Sequence, residues 1–341
     1  MKEKMLAAVF EGEGKLSLKE VPTPKIAKDD EVLLEVRASG ICGTDLHILS
    51  VPPGHPANPN IILGHEYTAK ILEVARAVTH LKPGEHVVID PNLTCGHCTC
   101  CLMGYPNSCE NMTTLGIFLD GGLASYGTAP AKALHKISSE VPPHLAALAE
   151  PVSCIINGTQ KVKLHPGENV VVLGAGPIGL LFVQMFKAAG AGKIIAAEIS
   201  AYRSEYASKL GADLVINPEK EKLSETIREE TKLGADVVVD TVGTLFDQAL
   251  EAVRLGGRIL LFGMNQLARP AIKQYDITRN EIVVMGTYIA LNTFPLAVKT
   301  IESGILDLES LISHEISLSE IHEALKALRS GQGTKVVVTE F

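Results

Sequence analysis

Four closely spaced cysteines give this 341-residue chain its most specific chemical signal. They follow the pattern C-x2-C-x2-C-x7-C inside LTCGHCTCCLMGYPNSC and are Cys95, Cys98, Cys101 and Cys109. Thiolates at these spacings can wrap one tetrahedral zinc ion, and four of them leave no position open for a substrate. The pattern therefore predicts a structural zinc lobe over residues 91–112. Cys100 and His97 lie in the same loop and are alternative ligands.

A glycine-rich turn joins the apolar run NVVVL to the helical run LLFVQMF. Its motif residues are Gly174, Gly176, Pro177, Ile178 and Gly179. The first glycine permits a tight turn, the second lets the backbone approach a pyrophosphate, and the third allows close helix packing. The helix N-terminus then faces the phosphates. Because strand, turn and helix occur in this order, the motif predicts a dinucleotide site rather than an ordinary turn.

An acidic residue stands at the end of the next apolar run, KIIAAE. This residue, Glu198, could accept hydrogen bonds from the adenosine ribose hydroxyls and would repel a 2′-phosphate. It therefore favours NAD over NADP, the other interpretation being an exposed charge at a strand end. Arg203 follows closely and could tolerate a 2′-phosphate, so NADP stays open.

Three further metal-ligand types stand in separate segments. Cys42 lies in SGICGTDLHI, His65 in LGHEY and Glu150 in LAEPVSC. A thiolate, an imidazole and a carboxylate could bind zinc and leave a place for a substrate. Spacing alone does not bring them together, and each could instead be a core or helix-end residue.

The elements that would position these residues fall into two patterns. The first 150 residues contain short strand-like runs such as EVLLEVRASG, HEYTAKILEVA and GEHVVID, which indicate a β-rich domain. From Asn169, six apolar runs alternate with helical stretches such as LFDQALEAVRLGG, as in a doubly wound parallel sheet. After residue 290, one helix and the strand KVVVTEF are expected to return to the first domain.

Composition excludes several other classes of protein. The chain has 31 Lys and Arg against 39 Asp and Glu, a net charge of −8. Such an acidic balance argues against nucleic acid and against a basic membrane-surface helix. No secretory signal is recognised in MKEKMLAAVFEGEG, so we expect a cytoplasmic protein whose clustered cysteines bind metal rather than form disulfides.

Together, CGTDLH, GHE, the four-cysteine lobe, AEP and GAGPIG resemble the zinc-containing medium-chain alcohol/polyol dehydrogenases over essentially the full length. The resemblance implies an α/β protein with a GroES-like catalytic domain and an inserted Rossmann domain. The expected boundaries are 1–155 with 290–341 for the catalytic domain and 156–289 for the dinucleotide-binding domain. Relatives of this type are tetramers or dimers, and a homotetramer is favoured.

The resemblance also assigns roles. Cys42, His65 and Glu150 match catalytic zinc ligands, and Glu66 matches a carboxylate that binds zinc or exchanges with water. Asp45 is expected to orient His65, whereas Cys154 is expected to be an ordinary buried thiol. Thr44 and His47 match a proton relay. Lys335 falls where relatives place a cation near the cofactor pyrophosphate.

The implied activity is hydride transfer between a secondary alcohol and NAD, assisted by one catalytic zinc. AEPVSC and Asn292-Thr293-Phe294-Pro295 favour a polyol or sugar-derived substrate. Ile48 and the IAL stretch at 289–291 depart from the sorbitol-type pattern and put sorbitol itself in doubt. L-threonine 3-dehydrogenase is the alternative within the class, with a non-catalytic NAD sensor more remote. A zinc-free quinone reductase is disfavoured by both zinc constellations.

Overall fold

The computed structural model describes residues 2–341, and its strands and helices fall into a β-rich part and a parallel α/β part. The first ten strands are β1 (Lys4–Gly12), β2 (Lys15–Pro22), β3 (Glu31–Ile41), β4 (Ile61–Ile62), β5 (Glu66–Val74), β6 (His86–Ile89), β7 (Asn92–Leu93), β8 (Thr113–Thr114), β9 (Tyr126–Pro130) and β10 (Leu134–Lys136). The helices among and after them are α1 (Gly43–Ile48), α2 (Thr99–Leu102), α3 (Pro143–Ala146) and α4 (Ala149–Val162).

The second half of the chain alternates strands with helices. Its parallel strands are β11 (Asn169–Leu173), β12 (Lys193–Ala197), β13 (Leu214–Ile216), β14 (Ala235–Asp240), β15 (Val253–Leu261) and β16 (Val283–Gly286). The helices among them are α5 (Pro177–Ala188), α6 (Ala201–Leu210), α7 (Leu223–Thr231), α8 (Phe246–Ala252) and α9 (Gln274–Arg279). The C-terminal elements are α10 (Phe294–Glu302), β17 (Ile312–Ser317), α11 (Ile321–Arg329) and β18 (Lys335–Glu340).

The β-rich part is built around a seven-stranded sheet in the order β10-β6-β5-β3-β18-β17, with β9 also paired to β3. Its central strand β3 reads as a nearly continuous buried run, as expected for a strand covered on both faces. The last strand of the chain, β18, pairs with β3, so the predicted C-terminal return is confirmed.

The parallel part is a six-stranded sheet in the order β13-β12-β11-β14-β15-β16. All six predicted strands are present, and the order reverses between β11 and β14. Fully buried side chains cover both faces, with Val172 and Phe182 in one core and Val171 and Ile195 in the other. Ligands of such sheets bind outside the carboxyl ends of the strands at the reversal point. The predicted doubly wound fold is therefore confirmed.

One predicted helix is shorter than the sequence indicates. LFDQALEAVRLGG is helical only to Ala252, and the chain enters β15 at Val253. The side chain of Val253 is buried against the sheet core, which outweighs the helical periodicity of the run. Tertiary burial thus overrides the local pattern.

Helix α4 runs without a break across the domain boundary predicted between residues 155 and 156. It packs against α5 and α10 and carries Glu150 in its first turn. A single rigid helix therefore joins the candidate zinc site to the parallel sheet. Within residues 2–341, no helix is both long and apolar enough to cross a membrane.

Candidate active site

Strand pairing explains how distant residues meet in the first metal cluster. In the antiparallel ladder of β3 and β5, Gly40 lies opposite Glu66. Cys42 follows the end of β3, and His65 immediately precedes β5, so the pairing brings both side chains to one corner of the sheet. Ligand atoms of Cys42, His65 and Glu66 lie within 4.8 Å of one another. Such a thiolate, imidazole and carboxylate set suits a zinc ion.

Asp45 contacts both of the first two candidate ligands. One of its carboxylate oxygens accepts the Cys42 backbone N–H at 2.9 Å, which begins helix α1 at Cys42. The other lies 3.6 Å from Nδ1 of His65. The Asp45 side chain is 1% exposed, so its charge acts in a poorly solvated place. Asp45 therefore lies beside His65, and the orienting role that the resemblance implies stays a prediction.

The charge balance of the cluster fits a bound cation. Burial by itself lowers the pKa of His65, but the charges of Cys42 and Asp45 outweigh it and raise that pKa well above its usual range. Burial raises the pKa of the Cys42 thiol, and the charge of Glu66 adds to this rise. A divalent cation would offset several buried negative charges, and these donors therefore fit zinc.

Glu150 lies beside this cluster rather than within its 4.8 Å set. Burial and then repulsion from Glu66 raise the pKa of Glu150 to about 7. The thiol of Cys154 donates to a carboxylate oxygen of Glu150 at 3.3 Å, one helical turn away. Cys154 is thus buried as expected, but it also holds the carboxylate in place. The spacing of four residues between Glu150 and Cys154 on one helix is the sequence signal that indicates this contact.

Lys335 reaches the cluster from the C-terminal strand. Its ammonium group hydrogen-bonds the Glu66 carboxylate and also donates to the Ile41 carbonyl at 3.1 Å. Burial opposes its charge, but attraction to Glu66 and Cys42 raises the pKa of Lys335. The family resemblance implies that this cation lies near the cofactor pyrophosphate. Because its hydrogen bonds go to Glu66 and Ile41, the pyrophosphate contact stays a prediction.

Replacing Lys335 with methionine is expected to destabilise the protein by about 3–5 kcal/mol, because the buried Glu66 carboxylate loses its cation. Urea unfolding at neutral pH measures this loss. Lys136→Met is the matched control, since Lys136 pairs with Glu85 at 2.7 Å on the surface, where a pair contributes about 0–1 kcal/mol. Equal losses in the two variants would contradict the assigned burial of charge.

The proposed relay residues lie one turn apart on helix α1. Thr44 is half-buried and follows Cys42 of the first metal cluster by two residues, whereas His47 is exposed to solvent. The backbone carbonyl of His47 accepts the Gly54 N–H at 2.9 Å, which ties the following loop to the end of the helix. One residue of the pair is therefore half-buried and the other exposed, and their role as a proton relay stays a prediction.

The second metal cluster contains the four predicted cysteines. Their sulfur atoms lie within 4.8 Å of one another, with Cys109 at 3.5 Å from Cys95 and 3.8 Å from Cys98. Tetrahedral zinc with bonds of about 2.3 Å places sulfur atoms about 3.8 Å apart. Backbone N–H groups, foremost that of His97, lower the pKa of Cys95 to about 6. Cys100 and His97 are not members of the cluster, so the ligand pattern C-x2-C-x2-C-x7-C is the one that the structure assembles.

The dinucleotide loop has the expected geometry. Gly174 adopts a φ of +91°, and a Cβ at Gly179 would overlap the Gly174 carbonyl oxygen. Gly176 precedes helix α5, and Pro177 is the first residue of the helix, with Ile178 next to it. The helix N-terminus therefore faces the carboxyl ends of β11 and β14, where phosphates bind.

Glu198 ties the next strand end to this loop. Its two carboxylate oxygens accept the Ala175 N–H at 2.7 Å and the Ser200 N–H at 2.8 Å. A carboxylate can accept about four hydrogen bonds, so capacity remains for ribose hydroxyls. Arg203 is the third residue of α6. Its buried Nε has no hydrogen-bond partner among the described residues.

Comparison with known proteins places both halves of the chain. Residues 28–139 match the alcohol dehydrogenase GroES-like domain, and residues 177–303 match the zinc-binding dehydrogenase family. Sorbitol dehydrogenase of Bacillus subtilis (strain 168) is 33% identical over 330 residues, which are 95% of this chain and 93% of that protein. L-threonine 3-dehydrogenase of Symbiobacterium thermophilum is also 33% identical, over 94% of this chain and 93% of the relative.

The solved structures agree with the sequence relatives. A Sinorhizobium meliloti 1021 protein described as a zinc-binding dehydrogenase, solved with NADP bound, has a TM-score of 0.95 and 31% identity. The alignment covers 99% of this chain and all of that one. Together with the two metal clusters and the dinucleotide loop, these matches show that the chain belongs to the zinc-containing medium-chain alcohol/polyol dehydrogenase family, the members of which are zinc- and NAD(P)-dependent oxidoreductases.

Proposed function

We propose that this enzyme oxidises a secondary hydroxyl group of a polyol or sugar-derived substrate with NAD, reversibly to the ketone. The proposal is supported by the close set of Cys42, His65 and Glu66, in which His65 and Glu66 are buried, with Glu150 beside it. When bound, zinc supplies Lewis-acid polarisation of the substrate oxygen, and NAD accepts the hydride. The protein holds these groups in place and keeps water out.

The chain's own residues would remove the hydroxyl proton. Thr44 Oγ1 lies on the first turn of α1 after Cys42, so it would accept a hydrogen bond from the substrate hydroxyl and pass on its own proton as it receives that of the substrate. The exposed imidazole of His47 can then release it to solvent, with a cofactor ribose hydroxyl between the two residues. The family resemblance implies this relay, and the placement of both residues on one short helix supports it.

The buried carboxylates of the site suit a substrate that is rich in hydroxyl groups. Glu66, Glu150 and Asp45 are buried carboxylates, and the neighbouring cation Lys335 is already paired with Glu66. These carboxylates would attract the ammonium group of L-threonine but repel its carboxylate, whereas every hydroxyl of a polyol can donate to them. The equal identity to both relatives does not separate the two substrates, so this charge argument supports the polyol.

The segment Asn292-Thr293-Phe294-Pro295 supports a polyol substrate less strongly than its sequence alone indicates. Phe294 is 1% exposed, and Thr293 Oγ1 donates to the Ser153 carbonyl at 2.8 Å, so both are part of the packed interior. Asn292 and Pro295 are exposed. We infer that Thr293 and Phe294 fix the start of α10, while Asn292 is free to contact a ligand.

An initial-rate panel tests the proposal. Polyols, sugar acids and L-threonine are compared with NAD and NADP by nicotinamide absorbance, before and after chelation. We expect chelator-sensitive, NAD-linked turnover of at least one polyol or sugar-derived alcohol. Turnover of L-threonine alone would move the enzyme to the threonine-dehydrogenase alternative. If no compound of the panel is turned over although both zinc ions are bound, the proposed substrate class is contradicted and a non-catalytic sensor of NAD is favoured.

Glu198→Ala is expected to raise the KM for NAD by about tenfold, because two ribose hydroxyls lose a charged acceptor worth about 1.5–3 kcal/mol. The KM for NADP should change less, since removing the carboxylate also removes its repulsion of a 2′-phosphate, and Arg203 remains nearby. Initial rates with both cofactors measure the ratio. An unchanged NAD preference would contradict the role of Glu198.

The same family resemblance and the surface support a homotetramer in the cytoplasm. Strand β16 is the edge of the parallel sheet, and its Val283 is half-exposed, as a strand that pairs across a two-fold axis would be. The four-cysteine cluster needs reduced thiols, which fits a cytoplasmic location. Light scattering after gel filtration distinguishes a tetramer from a dimer.

A further inference from the structure

Two buried asparagines outside the metal clusters bind the same short stretch of backbone. Asn157 on α4 donates from Nδ2 to the Ile289 carbonyl at 2.7 Å and to the Tyr288 carbonyl at 3.2 Å. Asn107 donates from Nδ2 to the same Tyr288 carbonyl at 2.9 Å. Their side chains belong to residues that are 3% and 7% exposed, respectively. A carbonyl oxygen has two lone pairs, so Tyr288 can accept both amides.

The bound backbone lies in residues 287–293, which we call the crossover segment. It begins at the carboxyl end of β16 and ends where Thr293 hydrogen-bonds the Ser153 carbonyl on α4. Helix α4 also carries Glu150 and Cys154. The crossover segment therefore runs from the ligand-binding edge of the parallel sheet to the helix beside the zinc cluster.

The path of the cofactor leads to the same place. Its phosphates are expected at the Gly174–Gly179 turn after β11, and its adenosine ribose at Glu198 after β12. A dinucleotide crosses the sheet at the reversal between β11 and β14, so its other end lies on the side of β14 to β16. The nicotinamide must also face the zinc cluster for hydride transfer. The crossover segment is the backbone that joins these two places.

The crossover segment holds an unfavourable backbone conformation. Ile289 has a φ of +37°, and Asn292 has a φ of +55°. A β-branched residue rarely adopts a positive φ, because its side chain crowds the backbone. Such a conformation persists only where neighbouring groups fix it. The carbonyl of Ile289 is fixed by Asn157, and the carbonyl before it by both asparagines.

We propose that Asn157 and Asn107 are positioning residues that hold the crossover segment in the shape that receives the nicotinamide end of the cofactor. Asn107 lies in the turn Pro106–Ser108, two residues before the zinc ligand Cys109. The structural zinc lobe thereby supports cofactor binding directly, besides stabilising its own loop. This inference uses the family's cofactor and is independent of which alcohol is the substrate.

The test compares Asn157→Ala and Asn107→Ala with a matched control, Gln184→Ala. Gln184 is also a buried amide that donates to a distant backbone carbonyl, that of Asp307 at 3.2 Å, but it does not contact the crossover segment. The readouts on the zinc-loaded, full-length enzyme are the Tm, the zinc content and the Kd for NADH from fluorescence titration without alcohol. Initial rates then give KM for NAD and kcat separately.

We expect a rise in the NADH Kd of about tenfold for Asn157→Ala, which loses two hydrogen bonds, and about threefold for Asn107→Ala. Gln184→Ala should lower the Tm comparably yet keep the Kd within about twofold. Zinc content should stay unchanged in all three variants. The effect on KM for NAD should exceed that on kcat for Asn107→Ala, because Asn107 binds only the Tyr288 carbonyl, near the start of the crossover segment and away from its junction with α4.

Unchanged NADH affinity in both asparagine variants would overturn the proposal, as would an equal loss in Gln184→Ala. If Asn157→Ala does not fold, the comparison of Asn107→Ala with Gln184→Ala decides alone. Failure of the proposed substrate class has a different signature. In that case the parent enzyme binds NADH, the asparagine variants bind it more weakly, and no polyol is turned over.

Discussion

Replacing His65 with alanine is expected to remove one of two bound zinc ions and to lower kcat by at least about 10³-fold. His65 is 5% exposed and is the only imidazole in the cluster with Cys42 and Glu66, so neither solvent nor a neighbouring histidine replaces it. Loss of the ion removes the polarisation of the substrate oxygen, a contribution of several kcal/mol to the transition state. Elemental analysis of zinc per chain and initial rates on the same preparation measure both effects.

His80→Ala is the control for this variant, because His80 is an exposed histidine outside both metal clusters. It should keep two zinc ions and full activity. The NADH affinity of His65→Ala should also remain close to that of the parent, since the dinucleotide loop is untouched. A His65→Ala enzyme with two zinc ions per chain and ordinary turnover would show that the catalytic metal lies elsewhere.

The second large effect is expected at the structural lobe. Cys98→Ser removes a buried thiolate from the four-cysteine cluster and should release its zinc ion. Zinc binding at such a site is coupled to folding of the loop around it, so the lobe should lose its structure. We expect the Tm to fall by roughly 5–15 °C, as for a loss of a few kcal/mol in a chain of this size. Calorimetry with zinc analysis measures this change.

Cys100→Ser provides a close control, since Cys100 lies between two ligands in sequence but outside the cluster. It should retain zinc and the Tm of the parent. Loss of zinc from Cys100→Ser, with retention in Cys98→Ser, would mean that the ligand pattern has been misassigned. If the crossover segment depends on the lobe, Cys98→Ser should also bind NADH more weakly than Cys100→Ser does.

Sequence reasoning works best where the chemistry is local. The four cysteines lie within one loop, and the Gly174–Gly179 turn stands directly between its strand and helix, so spacing alone predicts both. The six parallel strands are buried on both faces and are therefore apolar throughout, which sets them apart from their helices. For these features the relevant contacts lie close along the chain.

Only the family resemblance predicts the metal cluster that contains Cys42 and His65. The two residues meet because Gly40 lies opposite Glu66 in a strand pairing, and no short-range pattern encodes that register. The buried pair of Glu66 and Lys335 joins residues 269 positions apart, so the sequence shows only two ordinary charges. Likewise, the amides of Asn107 and Asn157 have no local signature, because their partners are backbone carbonyls of a distant segment.

Deuterium transfer tests the central claim most directly. The enzyme is incubated with NAD and the best polyol of the panel, deuterated at its carbinol carbons, and the NADH formed is analysed by mass spectrometry. Direct hydride transfer at this site predicts one deuterium per NADH formed, and no NADH formation after a chelator has removed the zinc. NADH without deuterium, or deuterated NADH formed equally well by His65→Ala, would contradict it.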